Sequence, residues 1–147
     1  MSVFHSQRLL LVILGVTGLI LLGIQFVPVD RRPPLNDGIV PGPDPVLEVF
    51  RRSCFDCHSN QSVWPWYGFI APVSWLVEDH ILEARSNLNF TRWDIYDEDE
   101  QAELVEDIWD EIDLGRMPPD YYLILHPSAN LGEHDREIID EWASQFP

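Results

Sequence analysis

Residues 9–24 form an apolar run broken only by Thr17 and three glycines, and Gln25, Phe26 and Val27 extend it to nineteen uncharged residues. A stretch this apolar has one self-sufficient form in hydrocarbon, the helix, because a helix satisfies its own backbone N–H and C=O groups. At about 1.5 Å per residue the run reaches roughly 28 Å, close to the thickness of a bilayer core. A cleaved secretory signal is the competing reading. The run is longer than the usual apolar region of a signal, however, and Gln25-Phe26-Val27-Pro28-Val29 offers no small-x-small cleavage site. Residues 1–27 are therefore expected to be a retained membrane anchor. Arg8 precedes the run while Arg31 and Arg32 follow it. Taken alone, the rule that positive charge marks the cytoplasmic side puts the rest of the chain inside.

Residues 28–43 contain Pro28, Pro33, Pro34, Pro41 and Pro43 with Gly38 and Gly42. This composition favours extended polyproline-like chain and reads as a tether. Fully extended at about 3.1 Å per residue, it would reach roughly 50 Å from the membrane. The remainder, residues 44–147, has the length of one ordinary domain, which excludes a multidomain enzyme. All 25 acidic residues and eight of the nine Arg lie beyond position 29, and the net charge is -16. So acidic a chain is a poor ligand for nucleic acid, whose phosphates require a basic surface.

The pattern of the domain is helical, with no sustained alternation of period two. Asp44 and Pro45 offer a cap and a first-turn proline to a helix carrying Val46, Leu47, Val49 and Phe50 towards Cys54. A second helix from about Pro72 places Val73, Leu76, Val77, His80, Ile81, Ala84 and Leu88 on one face. A third, over residues 97–114, buries Leu104, Val105, Ile108, Trp109 and Ile112 and is stopped by Gly115. The last, over residues 132–146, repeats the spacing with Ile138, Ile139, Trp142, Ala143 and Phe146. The expected fold class is all-α, a small helical domain preceded by a transmembrane helix.

The only two cysteines stand in Cys54-Phe55-Asp56-Cys57-His58. A C-x-x-C-H run supplies two thiols able to form thioethers with the vinyl groups of a haem, and an imidazole placed to ligate its iron. A thioredoxin-type redox pair would sit in a βαβ context, which is missing. Zinc would need further ligands from His80, His126 or His134, which form no short metal-binding spacing. The reading is one covalent haem c on Cys54 and Cys57, with His58 as the proximal iron ligand, so the domain is cytochrome c-like. Trp64, Trp66 and Tyr67, followed by Phe69 and Ile70, are candidates to line the pocket, with plain core packing as their alternative. For the sixth iron position the candidate is Met117, set between Gly115 and Pro118-Pro119 and outside the helical stripe. His80 and His126 are rivals, and an open iron is the third possibility.

Further blocks, namely Ser59-Asn60, Trp64-Pro65-Trp66-Tyr67, Ala71-Pro72-Val73-Ser74-Trp75, His80, Leu88-Asn89-Phe90, Trp93, Gly115-Arg116-Met117-Pro118-Pro119 and His126-Pro127, make the chain from about Asp44 to Phe146 resemble the bacterial haem-binding domain family. The resemblance implies haem held by Cys54, Cys57 and His58. Haem attachment of the c type takes place outside the cytoplasmic membrane, which implies a periplasmic domain on the inner membrane, against the charge rule. The expected function is single-electron transport without enzymatic turnover, to or from a redox protein. The alternatives are a peroxidase or gas or redox sensor with an open iron, or an accessory haem subunit of a larger respiratory complex. From Asp94 to Glu141 there are 17 acidic residues against Arg116 and Arg136, so a partner with a basic docking surface is one expectation and a merely solvated face the other.

Overall fold

The computed structural model describes residues 2–32, 38 and 40–146, and among these every regular element is a helix. By its contacts the chain divides into two units. One contains Met1–Arg31 and Trp64–Asp79, the other Arg32–Val63 and His80–Pro147.

In the first unit, α1 (Ser2–Gly23) continues into a 3₁₀ turn, Ile24–Phe26. The stretch Ser6–Phe26 has a mean hydropathy of 2.5 and is long and apolar enough to cross a membrane. The Gln25 side chain bonds the Ala71 backbone, and Arg31 donates to the Gly68 carbonyl at 3.0 Å. The segment around Gly68 is a short 3₁₀ turn, Trp66–Phe69, followed by the start of α4 (Val73–Asn87).

The second unit holds the protein's core. Helix α2 (Asp44–Ser53) begins one residue earlier than expected, with Pro43 at its cap, and buries Val46, Val49 and Phe50. After α2 comes α3 (Phe55–His58), a single turn. A 3₁₀ stretch, Phe90–Ile95, supplies Phe90 and Trp93 to the core. Helix α5 (Glu98–Asp113) opens with a capping box: the Asp97 carboxylate accepts the Glu100 N–H at 2.9 Å, and Glu100 accepts the Asp97 N–H at 3.0 Å. Its end is set by Gly115, whose φ of 67° lets its N–H reach Ile112 O while Arg116 N–H reaches Glu111 O. A residue with a Cβ is strained there, which is why the helix stops at this glycine.

After a short α6 (Asp120–Leu123), α7 (Glu133–Ala143) packs against α5 and α2. Ile139 and Trp142 of α7 are buried with Val105, Ile108 and Ile112 of α5 and with Phe50. Arg136 donates to the Ile112 carbonyl at 2.6 Å, which also accepts the Gly115 N–H, and so ties α7 to the end of α5. Arg52 pairs with Asp135 at 2.7 Å, fastening α2 to the start of α7.

Two expectations need correction. The Pro-rich segment is not a free leash along its length: Val40 is 1% exposed and donates to Phe90 O, and Pro41 O accepts the Trp142 indole N–H at 3.1 Å. The reach reckoned for sixteen free residues therefore does not apply, while Pro33 and Pro34 lie outside the described residues. The apolar face of α4 is buried only in part. Ile81 is covered, but Val73 is 40% and Leu76 55% exposed.

Candidate cofactor site

Helix α2 breaks at Cys54, whose φ of -124° leaves helical geometry, and the chain resumes as the single turn α3. The N–H groups of Cys57 and His58 both donate to Cys54 O, at 3.2 and 2.9 Å. One turn thus holds both sulfurs and the imidazole in a fixed relation. The thiols are unpaired and half-buried. Burial pushes the Cys54 thiol up to about 12, helped by Cys57 and opposed by Arg52; burial pushes the Cys57 thiol up to about 11, helped by Asp56 and opposed by Arg85. A dithiol redox centre depends on a lowered thiol pKa, and this pair has the reverse.

His58 is held by its Nδ1, which lies 3.2 Å from the Leu88 carbonyl. A carbonyl only accepts, so Nδ1 carries the proton and Nε2 is left with its lone pair for a metal. Burial lowers the pKa of His58, opposed by the Leu88 and Ala84 carbonyls, and so favours the neutral form of the ring. The ring also stands edge-on to Phe90 at 6.3 Å, and Phe90 stacks on both Phe50 and Phe55.

The Leu88 carbonyl is positioned by a buried polar network next to it. Asn89 Oδ1 accepts from Thr91 Oγ1 at 2.7 Å and from Thr91 N–H at 3.1 Å, and its Nδ2 donates to Asn60 Oδ1 at 2.9 Å. Thr91 Oγ1 accepts the Asn60 N–H at 2.9 Å. The loop leaving the motif is thereby locked to the loop that orients His58. Arg85 adds a second lock, donating to Ser59 O at 2.8 Å and to Ser62 Oγ at 2.9 Å.

Met117 stands in the bend after α5, 37% exposed, and its N–H donates to Glu111 O. The helix that follows is tied to the motif, because Tyr122 Oη donates to Asp56 Oδ2 at 2.9 Å, between the two cysteines. The rival histidines meet the same helix. The His80 ring lies 5.6 Å from that of Tyr121, and His126 stacks on Tyr122 at 4.1 Å. Trp64, Trp66 and Tyr67 belong to the first unit: Trp64 and Tyr67 are half-buried, and Trp66 is 73% exposed.

The roles of Asn60, Asn89, Thr91, Arg85, Asp56 and Tyr122 escape sequence reasoning. Leu88-Asn89-Phe90 stands out only as a block of family likeness, and hydrophobic periodicity is blind to polar residues that brace a loop. The donor set suits a haem. It offers two thiols on one turn and one imidazole with a free Nε2, whereas among the described residues no group of three or more His, Cys, Asp and Glu can hold a metal ion by itself. No curated protein and no solved structure matches the chain. The haem-binding domain family matches residues 19–145, which include every element of the site described above. The chain is a member of the haem-binding domain family.

Proposed function

We propose that the protein is a membrane-anchored monohaem c-type cytochrome that carries single electrons in the periplasm. The carrying observation is the α3 turn, where two unpaired thiols precede an imidazole whose Nδ1 is engaged by Leu88 O and whose Nε2 is free. Cys54 and Cys57 would hold the porphyrin as thioethers, and His58 would ligate the iron. A haem so held supplies a one-electron couple, and its potential depends on the sixth ligand. Met117 is assigned that place, with the Tyr122–Asp56 bond keeping its loop beside the motif. The Leu88 carbonyl fixes the tautomer of His58 and raises the basicity of the ring.

Residues 6–26 are read as the anchor in the bacterial inner membrane. Placement of the haem unit in the periplasm follows from where haem is attached to C-x-x-C-H chains, not from the arginines flanking the anchor. The exposed acidic residues of α5, among them Glu98, Asp99, Glu103, Glu106, Asp107 and Asp110, would favour a redox partner with a basic surface.

A reduced-minus-oxidised spectrum and a redox titration of the wild type and Met117→Ala, made in cells competent for haem attachment, test the reading. The expected wild type is coloured, has a sulfur-to-iron band when oxidised and does not bind carbon monoxide rapidly when reduced. Rapid carbon monoxide binding by the wild type would replace electron transfer with an open-iron enzyme or sensor.

A further inference from the structure

The first unit carries an apolar surface that the cofactor site does not explain. Residues 63–77 form fifteen consecutive positions without a charge, although all 25 acidic residues of the chain lie beyond position 29. This segment, with Glu78 just after it, is fastened at three points to residues 25–31, at and just beyond the end of the apolar helix. Gln25 Nε2 donates to Ala71 O at 3.0 Å, and Gln25 Oε1 accepts the Ala71 N–H at 2.9 Å. Arg31 donates to Gly68 O and lies over the rings of Phe69, at 4.8 Å, and Trp64, at 5.2 Å. The Asp30 N–H donates to the Glu78 carboxylate at 2.8 Å.

Near these fastenings the large apolar side chains face outward. Phe26 is 87% exposed, Phe69 58%, Ile70 48% and Val73 40%, and Leu76 continues the Val73 face of α4. Ala71 is held by Gln25 at the level where the apolar helix ends, which for a membrane-crossing helix is the boundary between acyl chains and headgroups. That boundary favours an uncharged, aromatic-rich surface, and the Arg31 guanidinium is held there over two aromatic rings.

We propose that Phe69, Ile70, Val73 and Leu76 form a membrane-docking surface that inserts into the acyl–headgroup boundary of the bilayer crossed by α1. The occupant is a lipid surface, and the proposal rests on reading Ser6–Phe26 as an anchor. Docking of this kind holds residues 64–79 flat on the membrane instead of letting them swing from a leash.

The test uses the full-length, haem-loaded protein in nanodiscs of phosphatidylcholine and phosphatidylglycerol. A photoreactive benzoylphenylalanine is placed singly at position 26, 70, 73 or 124, and adducts are identified by mass spectrometry. Position 124 is the comparison, because Ile124 is 78% exposed but lies in the other unit. Lipid adducts at 70 and 73 in yields comparable to 26, with little at 124, are expected. Gln25→Ala should lower the yield at 70 and leave that at 26 unchanged. Lipid adducts at 26 alone, or adducts of 70 and 73 with haem or protein, would overturn the docking surface while leaving the anchor standing. No lipid adduct at 26 would remove the anchor reading and the proposal together.

Discussion

Asn89 should matter far more than its distance from the two cysteines in sequence suggests. It is 4% exposed, and Asn60 and Thr91, which it joins, are 4% and 0% exposed. Asn89→Ala deletes three hydrogen bonds, two accepted from Thr91 and one donated to Asn60. Each is worth about 1 kcal/mol net, and the partners left behind are buried and cannot turn to water, so the expected loss is about 3 kcal/mol. That is roughly a hundredfold in the folding equilibrium. Urea unfolding of the haem-loaded protein, followed by the Soret band, measures it. Asn130→Ala, at an exposed position, should stay within about 0.5 kcal/mol. A double-mutant cycle with Thr91→Val should show strong non-additivity, since the two side chains share their bonds. The same variant loosens the loop bearing the Leu88 carbonyl, weakens the His58 Nδ1–H bond and should raise the midpoint potential. A stability loss no larger than that of Asn130→Ala would refute the argument that this network braces the loop on which His58 bonds.

Met117→Ala should abolish the sulfur-to-iron band and lower the midpoint potential, read by redox titration, while His80→Ala should leave both unchanged. Gly115→Ala should cost about 1 to 2 kcal/mol in urea unfolding, because its φ is 67° although nothing blocks a Cβ there. Burial is the largest single influence on the Asp135 carboxyl and raises its pKa, but the Arg52 and Gly132 hydrogen bonds and the charges of Arg52 and His134 together outweigh it, so the pKa is depressed. A depressed acid contributes stability above its unfolded pKa, about 3.9, and that contribution is lost as pH falls through the folded value. The destabilisation caused by Arg52→Ala should therefore be present at pH 7 and shrink below about pH 4, which unfolding curves across that range will show.

The helices of the second unit were readable because their apolar spacing reports burial directly. Val105, Ile108 and Ile112 on α5, and Ile139 and Trp142 on α7, are core residues as their periodicity implies. The end of α5 was readable for a different reason: a glycine is needed where the backbone turns left-handed. The same periodicity misled on the first turns of α4, since Val73 and Leu76 obey the spacing yet are exposed. An apolar stripe does not say how much of its length the fold covers. Composition likewise marked residues 28–43 as tether, but Val40 and Pro41 are held by Phe90 and Trp142, partners remote in sequence that no local pattern reveals. At the site, Cys54, Cys57 and His58 stand out because their C-x-x-C-H spacing is the one that the proposed covalent attachment would use. Their supports do not, because Leu88 acts through its carbonyl, and Asn60, Asn89 and Thr91 through bonds that only the folded chain brings together.

Intact mass of the purified full-length protein, read with the pyridine haemochrome spectrum after denaturation, is the most direct test of the central claim. The wild type, produced where haem can be attached, should carry the mass of a single haem that survives denaturation, with the spectrum of a porphyrin bound by two thioethers. Cys54→Ala and Cys57→Ala should each retain at most one thioether, and the double variant should lose the covalent haem. A colourless wild type with the bare polypeptide mass, or haem that washes away on denaturation, would contradict it.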